Sequence, residues 1–407
     1  MAESAERPGT PRPGFMLTLA TVGFLLNFWA WALLSPLGPG LRERLELSYF
    51  AQSALVAVPV LVGSIGRVPV GALTDRYGAR IMFPAVSLVT AVPVVTLAFV
   101  DSYAGLIAVG FVLGVGATAF AVGVPLISGW YPRARRGFAL GIFGIGAAGA
   151  TVANFSTGWL LRNWGDGTPF YVLAGLLVGF AGLAALLLRD RPRPVPAAGT
   201  LAAGATSVGR LIGAVLKLNV TWRLAALYAV SFGGFVAFSV YLPSYLRTAY
   251  NLNASDAGML AAWFTLLAVA AWPVGGWLSD RLHPLPVLVW SFFVVAVLAI
   301  AQAFQPTLMP MGTIVFLGMA AFLGAAAGAV FALVGKVAPA GMVGTVTGVV
   351  GAAGGLGGLL PPLVMGAVYA SRTSYTIGLL LLSIVALAAA VYANSMMVNV
   401  VRSRSVA

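Results

Sequence analysis

One guanidinium interrupts an apolar run of this chain: Arg67, between Ala54 and Leu73. A charge at membrane depth is costly, and where it occurs it marks an ion or substrate path. The planar fork of Arg can hold a planar oxyanion or a carboxylate by two parallel hydrogen bonds, which an ammonium does not offer. The acidic residues fall in expected tails or loops, with Asp256 at the very edge of an apolar stretch, so no carboxylate at membrane depth neutralises Arg67 and a mobile anion is its natural partner. A metal or organic cation is a poor substrate for such a site. The usual membrane proton relay is also missing, so proton coupling would have to run through Arg67, water or the substrate, which argues for exchange. Asp75 follows Arg67 by eight positions. That is about 12 Å at 1.5 Å per residue, against a hydrocarbon half-thickness of about 15 Å, which puts Arg67 near the midplane. The depth exceeds what an Arg stem comfortably snorkels, and a structural helix-cap role is the plain alternative.

The elements that position Arg67 must be membrane helices. The chain has 407 residues, of which 60% are hydrophobic and only 8% charged, whereas a globular domain carries about 25% charged residues. Spanning helices need about 20 apolar residues and barrel strands about ten alternating ones, so the long unbroken runs exclude a barrel. Apolar stretches are predicted at 14–37, 48–73, 80–100, 103–130, 136–161 and 169–188, then at 219–246, 254–279, 284–304, 307–334, 341–370 and 374–398. This is an all-α membrane protein of twelve transmembrane helices in two six-helix bundles, 14–188 and 219–398. The bundles are joined by a linker, 189–218, that begins Arg191-Pro192-Arg193-Pro194 and continues as small residues. A stiff and then flexible tether follows from that composition. The tails are 1–13 and 399–407.

Lys and Arg set the orientation. With both termini cytoplasmic, only Arg42, Arg44, Arg162, Arg247 and Arg372 of the 23 basic residues fall on outside loops. The net charge of +13 is therefore a topology signal in an inner membrane and not a nucleic-acid footprint. The first residues include Glu3 and Glu6 and have no apolar core, so they are not read as a cleaved signal peptide. With no Cys and one His there is neither a thiolate site nor a metal cluster, and no cofactor is expected. Glycine-rich runs lie inside apolar helices without a P-loop Lys, and no Ser–His pair exists because His283 stands alone in a loop beside Pro284, so an enzyme is not expected.

The two halves repeat: Arg67-Val68-Pro69-Val70-Gly71-Ala72-Leu73-Thr74-Asp75-Arg76 returns as Trp272-Pro273-Val274-Gly275-Gly276-Trp277-Leu278-Ser279-Asp280-Arg281, 205 positions later. Parallel repeats of this kind are expected of transporters whose halves rock about a midplane site. Gly137 and Gly141, and again Gly344 and Gly348, stand four apart and let helices approach closely. The same use is expected of Gly144, Gly146 and Gly149, and of Gly351, Gly354, Gly355, Gly357 and Gly358. Pro361-Pro362 would bend the eleventh span for want of donors.

The segment Gly71-Ala72-Leu73-Thr74-Asp75-Arg76-Tyr77-Gly78-Ala79-Arg80 resembles the loop motif of the major facilitator superfamily. Gly123-Val124-Pro125-Leu126-Ile127-Ser128, Gly137–Gly144 and Val349–Gly358 resemble the nitrate/nitrite porter family within it. The resemblance implies that Arg67 is the second-helix Arg that holds the anion between the halves. It also implies that Gly71, Asp75, Arg76 and Arg80, with Gly276, Asp280 and Arg281, latch one conformation. It offers Phe28, Trp31, Phe120 and Tyr228 as residues that sandwich a flat anion or present a hydroxyl, with ordinary packing as the alternative for each. Two positions depart from the family: Trp272 stands where an eighth-helix Arg is expected, and Ala147 where an Asn is expected. Trp272 can stack on a planar substrate or seal the pocket.

The resemblance therefore implies alternating-access transport of a small inorganic anion, nitrate or nitrite first, by a monomer embedded in lipid. A small organic carboxylate, with Arg67 on its carboxylate and Trp272 on the remainder, is the rival substrate. A non-transporting sensor and a channel are the rival classes. The first lacks an extra soluble domain within this sequence, and the second lacks a ring of filter ligands.

Overall fold

The structure is a computed structural model that describes residues 12–165, 167–191, 207–359 and 375–405. Eleven stretches of the described residues are helical, long and apolar enough to cross a membrane. Val343–Gly357 is a shorter apolar helix at the place of the eleventh expected span. The continuation of that span, with Pro361-Pro362, lies outside the described residues, as do residues 1–11 of the first tail and 192–206 of the linker.

The first half contains α1 (Pro13–Ala32), which runs on through Leu33 into α2 (Leu34–Arg44), then α3 (Tyr49–Tyr77) and α4 (Ala79–Thr96). The fourth span is α5 (Tyr103–Leu113) and α6 (Ala119–Trp130), joined by the 3₁₀ turn Gly114–Thr118. The fifth is α7 (Arg136–Gly144) and α8 (Gly149–Trp164), joined by a second 3₁₀ turn, Ile145–Ala148, and α9 (Thr168–Leu187) closes the half. These glycine-rich breaks were not anticipated as interruptions. In both, residues with no side chain or only a methyl allow the tighter turn.

A short helix, α10 (Val208–Leu216), stands where the composition predicts flexible tether. Ser207 caps it by accepting from the Arg210 N–H, and Leu211 and Val215, one turn apart, bury against the body. It touches α3 and also the eleventh-span helix α15 (Val343–Gly357), so it lies across both halves. The second half is completed by α11 (Asn219–Tyr250), α12 (Ala254–Leu282), α13 (Pro284–Ala303), α14 (Thr313–Val337) and α16 (Thr376–Ser405). The last helix continues through residues that the sequence reading gives to the C-terminal tail.

The described helices bury part of their hydrophobic side chains against one another and turn the rest outward. Phe24, Phe83, Phe143, Trp272, Phe292 and Phe331 are buried, whereas Phe99, Phe111, Phe155, Trp159, Trp164 and Trp290 lie on the outer surface. Such a distribution is unstable in water and ordinary in lipid.

The halves meet chiefly through two pairs, α3 with α15 and α7 with α12. Both are glycine seams. The backbone of Gly71 lies against that of Gly344, and the backbone of Gly137 against that of Gly276, so close that a Cβ at any of the four would overlap the facing chain. The repeat seen in the sequence therefore builds two equivalent contacts between the halves.

Candidate functional site

Arg67 lies on α3 with 3% of its surface exposed. Its Nε–H donates to the Ala117 carbonyl at 3.2 Å, and Nη1 donates to the Gly351 carbonyl at 2.8 Å. The first acceptor belongs to the 3₁₀ turn of the same half, where the helical hydrogen-bond pattern is interrupted. The second belongs to α15 of the other half. Gly351 has no side chain to obstruct this reach: a Cβ there would stand 3.0 Å from the Arg67 Cδ. The guanidinium carries five N–H donors, and among the described residues these two bonds leave three of them available.

Among the described residues, what surrounds the cation is aromatic, with no carboxylate. The Phe120 ring centroid is 5.8 Å from the guanidinium carbon and that of Phe232 is 5.6 Å away, one ring from each half. Tyr228 stacks on Phe232 with centroids 5.0 Å apart, and Phe331 meets Phe120 at 4.6 Å and Tyr228 at 4.7 Å. Ring faces stabilise a cation but leave its full charge uncompensated, so the arrangement retains a demand for an anion.

Trp272 occupies the equivalent place in the second repeat and is 1% exposed. It meets the same two rings as Arg67, Phe120 at 6.3 Å and Phe232 at 6.0 Å. Its benzo edge fills the space left by Gly144, its backbone lies against Gly141 and Gly328, and its Nε1 has no acceptor. A methyl at 144 would overlap the indole ring, and overpacking costs about 1–3 kcal/mol. Gly144→Ala is therefore expected to loosen the closed linker side. The chain has no Cys, so the check is thiol labelling of a single Leu140→Cys probe. Leu140 is buried on α7 facing Gly335 of the other half, and its labelling rate is expected to rise about tenfold.

Phe28 and Trp31 lie further from the linker side. Phe28 stacks on Trp31 at 4.4 Å and reaches Phe120 through Phe24, and the Trp31 N–H is already spent on the Pro59 carbonyl at 2.9 Å. Both line a cavity of about 690 Å³ between the halves, together with Ala147, Thr151, Asn154, Phe235, Ser239 and Thr265. No charged residue lines it. Phe235 is 5.7 Å from Phe232, so one ring of this vestibule lining adjoins a ring that flanks Arg67.

The linker side is shut by carboxylates that cap helices of the opposite half. Asp75 lies in the last turn of α3, inside the helix and not in the expected loop. It accepts from the N–H of Gly344 at 2.8 Å and of Thr345 at 2.7 Å, and from the Thr345 hydroxyl at 2.7 Å. Asp280, likewise in the last turn of α12, accepts from the N–H of Gly137 at 3.0 Å and of Phe138 at 2.8 Å. Each carboxylate meets the unsatisfied donors and positive end of a helix N-terminus, which favours negative charge.

Among the described residues, the cations of the loop motif do not cross between the halves. Arg76 lies over Tyr77 and Arg281 over Trp277, while the backbone N–H of Arg80 donates to Asp190. Cross-half work falls instead to Arg136, whose Nη1 donates to the Gly335 carbonyl at 2.8 Å. His283 caps α13.

Of the remaining glycines, Gly146 faces the Phe24 ring and Gly149 the backbone of Leu25, both within the first half. Gly354 faces Tyr228, Gly355 faces Ser64 across the interface, Gly357 the backbone of Ala229 and Gly358 the Val236 side chain. The sequence reading omits Phe232, Phe331, Phe24, Phe143, Phe235, Thr345 and Arg136. A signal existed for two of them: Phe232 follows Tyr228, and Phe24 precedes Phe28, by one helical turn.

The model of the Major Facilitator Superfamily matches residues 20–362 and 224–404. The chain is 46% identical over 380 residues to the probable nitrate/nitrite transporter NarK2 of Mycobacterium tuberculosis, covering 92% of this chain and 94% of the relative. It is 35% identical over 379 residues to the nitrite extrusion protein of Bacillus subtilis, covering 93% of each. Among solved structures, the human organic anion transporter MFSD10 superposes with a TM-score of 0.76 at 15% identity, covering 94% of this chain and 100% of that one, a likeness of fold. On a family model that matches most of the chain and on relatives at 46% and 35% identity over more than nine-tenths of it, the chain belongs to the Major Facilitator Superfamily and, within it, to the nitrate/nitrite porter family.

Proposed function

We propose that this protein is a secondary active transporter of nitrate, nitrite or both, working by alternating access around Arg67. Its place is the cytoplasmic membrane, with both termini cytoplasmic and the monomer as the working unit. The observation that carries this reading is Arg67 itself: buried, hydrogen-bonded to a carbonyl of each half, and without a carboxylate in its surroundings. With the linker side cytoplasmic, the conformation is outward-facing. Its vestibule offers neutral hydroxyls, and its inner gate is bolted by Asp75 and Asp280.

An anion entering the vestibule must pass Phe28 and Phe235 to meet the free N–H groups of Arg67. A planar monovalent anion fits the aromatic walls and cancels the charge. Because Arg67 then no longer presents a bare cation to a low-dielectric interior, the loaded protein reorients more readily than the empty one. That difference favours exchange over uniport. No catalytic chemistry is assigned to any residue.

Counterflow in proteoliposomes tests the proposal. Vesicles loaded with nitrate or nitrite are expected to accumulate labelled nitrite faster than empty ones, and vesicles loaded with formate or a larger carboxylate are not. Acceleration only by an organic carboxylate would transfer the substrate assignment to that class. No acceleration by any of these anions would remove transport of this kind.

A further inference from the structure

We propose that the indole N–H of Trp272 is the second anion donor of the site and confines it to monovalent anions; this rests on the transport reading above. Four observations converge on that residue. Trp272 is 1% exposed, so its N–H has no water to turn to, and Nε1 has no acceptor among the described residues. A buried donor is ordinarily paired, and an orphan calls for a partner absent from the structure. The indole contacts Phe120 and Phe232, the same two rings that flank the Arg67 guanidinium. It is therefore part of the wall around the cation and not a distant packing residue.

The third observation is how the side chain is held. Its benzo edge abuts Gly144, and its backbone carbonyl lies against Gly141 and Gly328. Nε1 lies on the opposite edge of the indole from the carbon that meets Gly144, so the half-to-half contact fixes the ring while leaving the N–H uncommitted. The fourth is position: Trp272 is the repeat partner of Arg67, standing at the same place in the motif that recurs 205 positions later.

The chemistry of the pair differs from that of two guanidiniums. One cation and one neutral donor give a site of unit positive charge. A monovalent oxyanion leaves it neutral, whereas a divalent one leaves an uncompensated negative charge in a dry interior. The N–H gives the anion a second point of attachment without adding charge to be reoriented.

The test replaces Trp272 by 3-benzothienylalanine, which keeps the bicyclic shape and exchanges N–H for sulfur, alongside Trp272→Phe. Nitrite counterflow is measured over a range of concentrations. The expected result is a KM raised about tenfold in both variants, with maximal rate changed less than threefold and sulfate failing to compete in wild type. An unchanged KM in the benzothienyl protein, with wild-type counterflow intact, overturns this proposal alone. Absence of wild-type counterflow overturns the transport reading and this proposal with it. Competition by sulfate as effective as that by nitrate overturns the charge argument.

Discussion

Arg67→Ala is expected to abolish nitrite counterflow, lowering the rate at least about 100-fold, and Arg67→Lys to fare little better. A hydrogen bond to a charged group contributes about 1.5–3 kcal/mol, and a fork-to-oxyanion contact contributes two. Each 1.4 kcal/mol is about tenfold, so their loss accounts for a reduction of two orders of magnitude or more. Lys keeps the charge but cannot reach both the Ala117 and Gly351 carbonyls while offering a parallel pair to the substrate. Its ammonium is also more strongly hydrated, a handicap in a wall built of Phe120 and Phe232. The measurement is initial uptake normalised to reconstituted protein, with thermal melting to show that the variants fold. Uptake by Arg67→Lys within threefold of wild type would remove the planar-fork argument.

The second large effect is expected at the inner gate. Asp75 accepts three hydrogen bonds from α15, and Asp280 two from the start of α7. Asp75→Asn keeps the volume but removes the charge that the helix end favours, and turns part of the group into a donor facing donors. A carboxylate at a helix N-terminus contributes about 0.3–2 kcal/mol, and the charge-assisted bonds add to it. The double variant Asp75→Asn with Asp280→Asn is therefore expected to shift the balance toward the inward-open form by about 3–5 kcal/mol, a factor of about 100 to 4,000. The Leu140→Cys probe reads this as fast labelling from the cytoplasmic side, with each single variant giving an intermediate rate. Labelling of the double variant as slow as wild type would mean that the glycine seams, and not the caps, hold the gate.

Much of this was legible in the sequence because membrane helices declare themselves by length and because one charged residue among apolar ones has few explanations. Arg67, the repeat at Trp272 and the seam glycines are visible as residue types at fixed spacing. The aromatic wall is less visible. Helices apolar on all sides have no polar face to fix their rotation, so nothing in the spacing separates Phe232, which faces Arg67, from Phe111, which lies on the outer surface. Arg136 and Thr345 escaped for a related reason: Arg136 meets the Gly335 carbonyl 199 positions away, and a carbonyl carries no sequence signature, while Thr345 meets the Asp75 carboxylate 270 positions away, a pairing that no local spacing announces. The α10 helix was concealed by small residues, although Ser207 before Arg210 and the Leu211–Val215 pair mark a cap and a buried face.

The way the inner gate is bolted fixes how the protein meets changes in ionic strength. The ion pairs Arg44–Asp101 and Lys336–Asp280 each lie within one half, while Asp75 and Asp280 cross the boundary onto peptide N–H groups. Dissolved salt weakens attraction between exposed charges over a Debye length of about 8–10 Å, but it has little purchase on a buried carboxylate held by amides at under 3.1 Å. A gate closed by backbone donors keeps its grip as the electrolyte on the linker side rises and falls, including changes in the concentration of the very anions it handles.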